Sequence, residues 1–348
     1  MENITRRIKQ NPGFYMALAF LIVIYVIYNF LHPRGFSERV LVQNANESVA
    51  IAFVAMAQTI PVLMGGLDLS VGAVMTLSST IASEFLNGSP LHIVFGVFLT
   101  LASGTAFGLM NGLIVVYGRL QPIIVTLATG AVAIGLALFM RPTPGGDVDG
   151  DLNWAFTNSL YDFADTYGLF DGGNAAWFKP FSWIPVPLIL LFGVALIVWV
   201  PFKRSVTGRT IYAIGSSEGA AFMSGLPINR AKIAAFTLSG FFASCGGLYL
   251  AIQTSTGNAD VTQAGAYTLN SIAAVVLGGT SLLGGIGSAI GSLIGAMILR
   301  VMNFYFRLPD IGIDPLLQPL VEGVVLLAAV SLGAFAALRV KNKLDQFR

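Results

Sequence analysis

Seven polar side chains lie within or beside long apolar runs of this sequence. They are Gln58, Asp68, Asn111, Asn270, Asn303, Gln318 and Glu322. Polar groups in apolar surroundings need hydrogen-bonding partners. A polar solute with hydroxyl groups could supply those partners, and so could side chains of neighbouring helices. The sequence therefore predicts that these residues line a translocation path or its gate. The alternative, which stays open, is that they bond to neighbouring helices.

Asp68 lies in the motif LMGGLDLSVG, between two apolar runs. A carboxylate at the centre of a bilayer costs about 2.5–3.5 kcal/mol on insertion scales, so a specific role is expected. One interpretation is local: Asp68 or Ser70 caps the following helix, and the paired glycines provide a tight break. The other places Asp68 at the gate or cytoplasmic face of a path. Near the other end, Gln318 and Glu322 are four residues apart and share one helix face.

The chain lacks the motifs of several enzyme classes. It contains no Gly-Lys pair, and therefore no P-loop for ATP, and it has no HExxH. Cys245 is the single cysteine, and the two histidines, His32 and His92, are far apart in sequence, which argues against a metal centre. We expect no catalytic residue, no bound metal and no cofactor on this chain.

The composition is that of a membrane protein. Of the 348 residues, 55% are hydrophobic and 10% are charged, against about 25% charged in soluble domains. The apolar runs are long and continuous rather than alternating, which indicates membrane-spanning helices. We predict an all-α polytopic membrane protein with a single transmembrane domain over residues 1–348 and about ten spans, some short or broken at glycine-rich motifs. The predicted spans are 14–31, 48–65, 69–86, 92–117, 121–140, 184–201, 233–253, 268–283, 285–305 and 318–338.

The distribution of basic residues predicts the orientation. If the N-terminus is cytoplasmic and the spans alternate, 13 of the 19 lysines and arginines lie on the cytoplasmic side. An excess of positive charge in cytoplasmic loops is the usual rule. Both termini are then cytoplasmic. The first span follows Arg6, Arg7 and Lys9 and is followed by no small-residue cleavage site, so we expect it to be retained rather than removed as a signal peptide.

Residues 141–183 form a long loop on the predicted outer side, which is periplasmic in this orientation. The loop carries six aspartates and three of the four tryptophans. Tryptophan is favoured at membrane interfaces, so part of the loop is expected to lie along the outer interface. Its role is open between a solvated interfacial loop and a landing surface for an external partner.

Residues 202–232 form a polar stretch between apolar spans and carry five basic residues and one acid, Glu218. The charge places the stretch in the cytoplasm. A short helix rich in Ser, Gly and Ala is a poor membrane anchor, and we interpret it as a surface that docks onto another protein. Elsewhere, Gly284, Gly287, Gly291 and Gly295 recur every three to four residues, which predicts a small-residue helix face for close packing.

Taken together, LMGGLDLSVG, NGLIVVYGRLQPIIVTLAT, the cytoplasmic loop and AAVVLGGTSLLGG resemble motifs of the permease subunits of bacterial ATP-binding-cassette sugar importers, the ribose/xylose/galactose group. The resemblance covers about residues 45–335. It implies about ten helices, a second permease subunit that is identical or related, two cytoplasmic ATPase subunits and a periplasmic sugar-binding protein. It also implies that ATP and Mg²⁺ bind the ATPase, and that the protein resides in the bacterial inner membrane.

The resemblance further implies that part of the cytoplasmic loop docks in a groove of the ATPase. The matching positions are Gly215, Glu218, Ala220, Ala221, Gly225, Leu226 and Pro227. The predicted function is thus a non-enzymatic permease that moves a monosaccharide inward. The alternative is a stand-alone secondary transporter or channel for a small polar solute, which would work without an ATPase. Which sugar is carried, and whether the permease pairs with itself, stays open.

Overall fold

The computed structural model describes residues 12–168, 175–308 and a few single positions between 317 and 331. Gln318, Glu322 and most of the predicted tenth span fall outside the described residues, as do both ends of the chain. Within the described ranges the regular structure is helical, with two isolated bridges of extended backbone. The predicted all-α class is confirmed for those ranges.

Thirteen α-helices are numbered here in chain order over the described residues. They are α1 (Pro12–Leu31), α2 (Glu38–Leu63), α3 (Val71–Phe85), α4 (Pro90–Tyr117), α5 (Pro122–Met140), α6 (Gly150–Thr157), α7 (Leu160–Thr166), α8 (Val186–Arg204), α9 (Val206–Ser216), α10 (Glu218–Met223), α11 (Ile228–Thr254), α12 (Val261–Leu277) and α13 (Ala289–Phe306). A π-helical turn, Ala195–Trp199, interrupts α8, and a 3-10 segment, Ala175–Trp183, precedes it.

Seven of these helices, α1, α2, α4, α5, α8, α11 and α13, are long and apolar enough to cross a membrane. The chain is therefore a multi-pass membrane protein. Helices α3 and α12 have 15 and 17 residues, which corresponds to about 22–26 Å, less than the hydrocarbon thickness of about 30 Å. Helix α3 is buried along nearly its whole length, so its polar Ser and Thr residues meet protein rather than lipid. A total of ten spans stays a prediction.

Helix α2 forms the centre of the bundle and packs against α11, α12 and α13. Helix α11 also packs closely on α4, and glycines make that approach possible. A methyl group on Gly240 of α11 would lie 2.1 Å from the Gly104 carbonyl oxygen of α4. A methyl group on Gly108 would lie 2.2 Å from the Phe236 carbonyl oxygen. Small residues permit such close helix contacts in membranes, where dispersion forces act between backbones.

The start of α2 corrects the predicted span 48–65. The helix begins at Glu38, where the Ser37 hydroxyl accepts a hydrogen bond from the backbone N–H of Val40. The span predicted from hydropathy begins too late in the sequence because this first part of the helix is polar. Asn46 in this part has protein partners, since its side chain donates to Thr157 O at 2.6 Å and accepts from the Tyr249 hydroxyl at 2.7 Å.

A loop over 278–288 corrects the predicted span 268–283, because α12 ends where that loop begins. Of the four glycines predicted to share one helix face, the first two lie in this loop with left-handed backbone, at φ +86° for Gly284 and +147° for Gly287. The packing prediction is wrong for these two. It is confirmed for the other two, which lie in α13 and pack against the end of α12.

The helix connections gather at two ends of the bundle. We call them the inner face, formed by 64–70, 118–121, 205–227 and 278–288, and the outer face, formed by 32–37, 86–89, 141–168, 175–185 and 255–260. At the inner face, Gly285 N donates to Leu63 O at 2.9 Å. At the outer face, Gly145 and Gly257 exchange backbone hydrogen bonds of 3.0 and 2.7 Å. The basic loop 202–232 thus lies at the same end as the motif of Asp68.

Candidate translocation and docking sites

Asp68 lies at the inner face in the connection between α2 and α3, and its side chain is 2% exposed. Its Oδ1 accepts hydrogen bonds from the backbone N–H of Ser70 at 2.9 Å and from the Ser70 hydroxyl at 2.5 Å. Its Oδ2 accepts from the Ser239 hydroxyl of α11 at 2.8 Å. The carboxylate therefore has donors on both oxygens, although none of the described cations pairs with it.

The same network continues into α4 and α5. The Asn111 amide donates to the Ser70 hydroxyl oxygen at 2.9 Å, and the Thr129 hydroxyl donates to Asn111 Oδ1 at 2.6 Å. One turn earlier in α5, the Thr126 hydroxyl oxygen accepts from the Leu69 N–H at 2.9 Å. Two of the predicted site residues, Asp68 and Asn111, are thus brought together by a shared serine.

We call these residues, Asp68, Ser70, Asn111, Thr129 and Ser239, the Asp68 network. It joins the start of α3 to α4, α5 and α11. Ser70 occupies the N-cap position of α3, but its side chain accepts no hydrogen bond from the first turn, and Asp68 accepts from the N–H of Ser70 rather than from a helical N–H, so neither residue makes the predicted cap. Buried polar networks whose members are all satisfied specify a single arrangement of the groups that they join.

The other candidates behave differently. Gln58 of α2 is fully buried, and neither its Oε1 nor its Nε2 has a hydrogen-bonding partner among the described residues. Asn303 of α13 is 4% exposed, and its Oδ1 also lacks such a partner. Asn270 of α12 is half-buried. No hydrogen bond found in the described ranges connects these three residues to the Asp68 network.

An ionic cluster near the outer face was missed by the sequence analysis. Glu47 of α2 accepts from Arg307 at 2.7 Å through Oε2, and its backbone oxygen accepts from Arg300 Nε of α13 at 2.7 Å. The predicted second span began at residue 48, so Glu47 was taken as a loop residue. An arginine inside the apolar run 285–305 was the available signal, because such a charge requires a partner.

Helix α10 forms the tip of the predicted docking loop. Ser217 caps it by accepting from the Ala220 N–H at 3.3 Å. Ala221 points back into the protein at 4% exposure, whereas Phe222 and Met223 are 71% and 85% exposed. Two large apolar side chains at the inner face therefore stand free of the chain's own core. Gly225 follows with φ +72°, a left-handed backbone that suits glycine and ends the helix.

The remaining loop candidates flank this helix. Glu218 forms an ion pair with Lys232 of α11 at 2.5 Å, which bridges the start of α10 to the next membrane helix. Leu226 is half-buried and its N–H donates to Ala221 O at 3.2 Å, while Pro227 precedes α11. The loop thus folds into two short helices that are tied at both ends.

Helix α9 anchors the docking loop to the bundle. A methyl group on Gly215 would lie 2.0 Å from Leu63 O and 2.3 Å from Gly285 N, so only glycine permits this contact. The Tyr212 hydroxyl donates to Gly287 O at 2.9 Å. Burial raises the pKa of Tyr212 to about 12, so the hydroxyl stays protonated and keeps donating at physiological pH. Helix α9 therefore contacts the end of α2, just before the glycine loop 64–70, and the glycine loop 278–288.

The outer loop is structured over its described part and is fastened to the bundle. The N–H groups of Asp147 and Asp149 donate to Ser83 O and Leu86 O, at the end of α3. The Asn153 side chain of α6 donates to Ile252 O of α11 at 2.5 Å. Among the described residues no group of acidic, His or Cys side chains is arranged to hold a metal ion.

Together, the helical bundle, the seven long apolar helices and the anchored loop define a polytopic membrane protein of the permease class. The chain matches the family described as "Branched-chain amino acid transport system / permease component" over residues 40–330, and it belongs to that family. The curated relatives confirm the resemblance to permease subunits of sugar importers that the sequence motifs indicate.

Curated relatives match along nearly the whole chain. The ribose import permease protein RbsC of Escherichia coli K12 is 34% identical over 314 residues, which covers 90% of this chain and 91% of the relative. RbsC of Bacillus subtilis 168 is 34% identical and covers 93% of each. The autoinducer 2 import system permease protein LsrD of Escherichia coli O9:H4 is 27% identical and covers 91% of each. No solved structure matches the chain.

Proposed function

We propose that this chain is the permease subunit of an ATP-binding-cassette importer that moves a monosaccharide across the bacterial inner membrane. Membership of the permease family supports the class, and the ribose import permeases that align over about nine tenths of the chain support the substrate class. Within this proposal the chain is not an enzyme: ATP and Mg²⁺ bind separate cytoplasmic ATPase subunits. A periplasmic sugar-binding protein and a second permease, identical or related, complete the importer.

The observation that carries the proposal is the exposed tip of α10. Phe222 and Met223 are largely exposed, although they lie in a polar loop at the inner face where lipid does not account for them. Exposed apolar side chains rimmed by polar residues mark protein interaction sites. We propose that these two side chains insert into the groove of the ATPase. Ala221, which the sequence also placed in the contact, is buried, and we propose that it positions the helix.

Energy then passes from the ATPase to the membrane helices through two attachments. Gly215 transmits movement of α9 to the inner end of α2 and to the loop before α13, because the backbones are in direct contact there. The Glu218–Lys232 ion pair transmits movement of α10 to α11. Coupling requires that ATP and the loaded binding protein favour different permease conformations.

Gln58 is our leading candidate for the translocation path, because its buried amide has no partner among the described residues. An unpaired buried amide costs about 1–3 kcal/mol and needs a reason to be kept. Contact with sugar hydroxyls in another conformation of the importer would supply one. Asn270 and Asn303 remain secondary candidates, and so do Gln318 and Glu322 from their sequence position. Asp68 and Asn111 are assigned to the framework that holds the inner face.

Reconstitution tests the proposal. The permease, its cognate ATPase and its binding protein are placed in proteoliposomes, and uptake of radiolabelled ribose and related monosaccharides is measured with and without ATP. Phe222→Glu is expected to lower both ATPase co-purification and uptake by about tenfold or more, because a charge replaces the apolar anchor. Phe222→Leu, the matched control, keeps the apolar contact and is expected to retain most uptake.

Two results would contradict the proposal. Uptake at full rate without the ATPase would favour the stand-alone transporter or channel. Full uptake by Phe222→Glu, with normal membrane insertion, would remove the α10 tip from the docking contact. The sugar that stabilises the cognate binding protein against heat then identifies the substrate.

A further inference from the structure

A cleft of about 370 Å³ opens at the inner face next to the docking helix. Three segments surround it: the glycine turn at 64–66, the end of α4 with the turn that follows it, and the start of α10 with the first turns of α11. Its walls include Val116, Leu120 and Asn229. The cleft is therefore continuous with the docking surface proposed above, yet it involves different helices.

The floor of the cleft is closed. Val115 of α4 and Phe236 of α11 lie at its base, and they pack with Val125 of α5 in one small apolar cluster. One helical turn deeper, the same helices carry Asn111 and Ser239 of the Asp68 network. An apolar layer thus separates the cleft from the buried polar network. The geometry favours a recess that receives something from the cytoplasm, rather than the exit of a path.

Two cations line the cleft, and they differ in their partners. Lys232 is paired with Glu218 at 2.5 Å. Arg119 is exposed, and it takes part in none of the ion pairs found among the described residues. Its backbone has φ +53°, a left-handed conformation that is uncommon for a residue with a side chain. A residue held in such a conformation is a reason to look for a function at that position.

The surrounding inner face is strongly cationic. Five described basic residues in its segments or at the adjoining helix ends are exposed, whereas of the two acidic residues described in its segments Glu218 is exposed and Asp68 is buried. The exposed basic residues are Arg119, Lys203, Arg204, Arg209 and Arg230. Complementary potentials across an interface fix its register and speed association. A protein that covers this face is therefore expected to present anionic side chains.

We propose that a carboxylate side chain of the cytoplasmic ATPase enters this cleft and pairs with Arg119. The turn after α4 would then be a second ATPase contact beside the α10 tip. The planar guanidinium group suits two-point recognition of a carboxylate, which lysine cannot reproduce. The inference rests on the proposed function, since it names a second point of contact for the same partner.

The Arg119 contact would give the ATPase a second point from which to move the membrane helices. The α10 tip moves α9 and α11, whereas the Arg119 contact acts on α4 and α5. Those two helices carry Asn111 and Thr129, whose hydrogen bonds lead to the start of α3 through Ser70. Both contacts are therefore connected to the Asp68 network, through different helices.

The test measures the affinity of the ATPase for the full-length permease in lipid nanodiscs at two salt concentrations. Arg119→Glu is expected to weaken binding by about tenfold or more, with a shallower salt dependence. Arg119→Gly is expected to weaken binding while keeping or raising the thermal stability, because glycine relaxes the left-handed backbone. Lys179→Glu makes the same charge change at the outer face and is expected to alter binding by less than about threefold.

Phe222→Glu, measured in parallel, separates the two proposals. If it abolishes binding while Arg119→Glu and Arg119→Gly bind as the wild type does, the second contact is refuted and the docking proposal stands. If neither Phe222→Glu nor the Arg119 variants change binding, both docking contacts are refuted; if the wild-type permease does not bind the ATPase at all, the proposed function itself fails. If the Arg119 effect occurs only with anionic lipids, a lipid headgroup occupies the cleft and the inference is overturned.

Discussion

Asp68 and Gln58 are both buried polar side chains, and they have opposite surroundings. Asp68 accepts three hydrogen bonds from two serines, and its neighbours connect four helices. Gln58, which lies near the inner end of the central helix, has no partner for its amide in the described part of the chain. The first arrangement suits a fixed framework. The second suits a group whose partner arrives during transport, so burial alone does not separate structure from function.

The largest expected effect comes from Asp68→Ala. This change leaves the Ser70 N–H and two serine hydroxyls without their acceptor, at a cost on the order of 2–5 kcal/mol. We expect the apparent melting temperature of the detergent-solubilised protein to fall by on the order of 5–10 °C. Differential scanning fluorimetry measures it, with Asp147→Ala on the exposed outer loop as the control. An unchanged melting temperature would remove Asp68 from the framework.

An intermediate effect, on uptake rather than on stability, is expected for Gln58→Leu. Replacing the unpaired amide by an apolar group of similar size should leave the melting temperature equal or higher, because a desolvated polar group is removed. Uptake should fall by about tenfold if the amide contacts the sugar. Met56→Leu, a volume-conserving change at another fully buried position of α2, is the control and should leave both unchanged. Normal uptake by Gln58→Leu would exclude it from the path.

The smallest effect is expected for Ser239→Ala, which removes one of the hydrogen bonds to Asp68. The loss is about 1 kcal/mol, or a few degrees in melting temperature. Ser244→Ala on the same helix is the matched control, because its hydroxyl bonds only to the Phe241 carbonyl of its own helix at 2.7 Å. Equal shifts for both variants would mean that the bond to Asp68 contributes nothing beyond an ordinary buried hydroxyl.

Much of the fold followed from hydropathy, and its error at the start of α2 has a physical cause. Windows of apolar residues located helices α1, α4, α5, α8 and α11 to within a few residues. They failed at the start of α2, where Asn46 and Glu47 sit inside a helix, and at the end of α12, where a loop replaces the predicted span. Hydropathy assumes that a span faces lipid. A helix surrounded by other helices can carry polar groups, provided that their partners are protein.

The candidate site was predicted unevenly for a related reason. The motif around Asp68 and the docking loop were found from composition, because a lone acid and a basic stretch are conspicuous in an apolar chain. The Arg300–Glu47 contact was not found, since its two residues are far apart in sequence. Ala221 was assigned to the docking surface from its position in the motif. Only the helical turn decides that Ala221 faces inward while Phe222 and Met223 face out.

The sequence by itself determined the class of this protein, because an apolar chain with few charges must span a membrane. It also determined which loop is basic. The tertiary structure decided which polar residues are satisfied and which are not, because a hydrogen bond depends on two groups that meet only when distant segments pack. It likewise brought the glycine turn after α2, the loop before α13 and Gly215 to one contact, since backbone atoms can approach so closely only where no side chain intervenes.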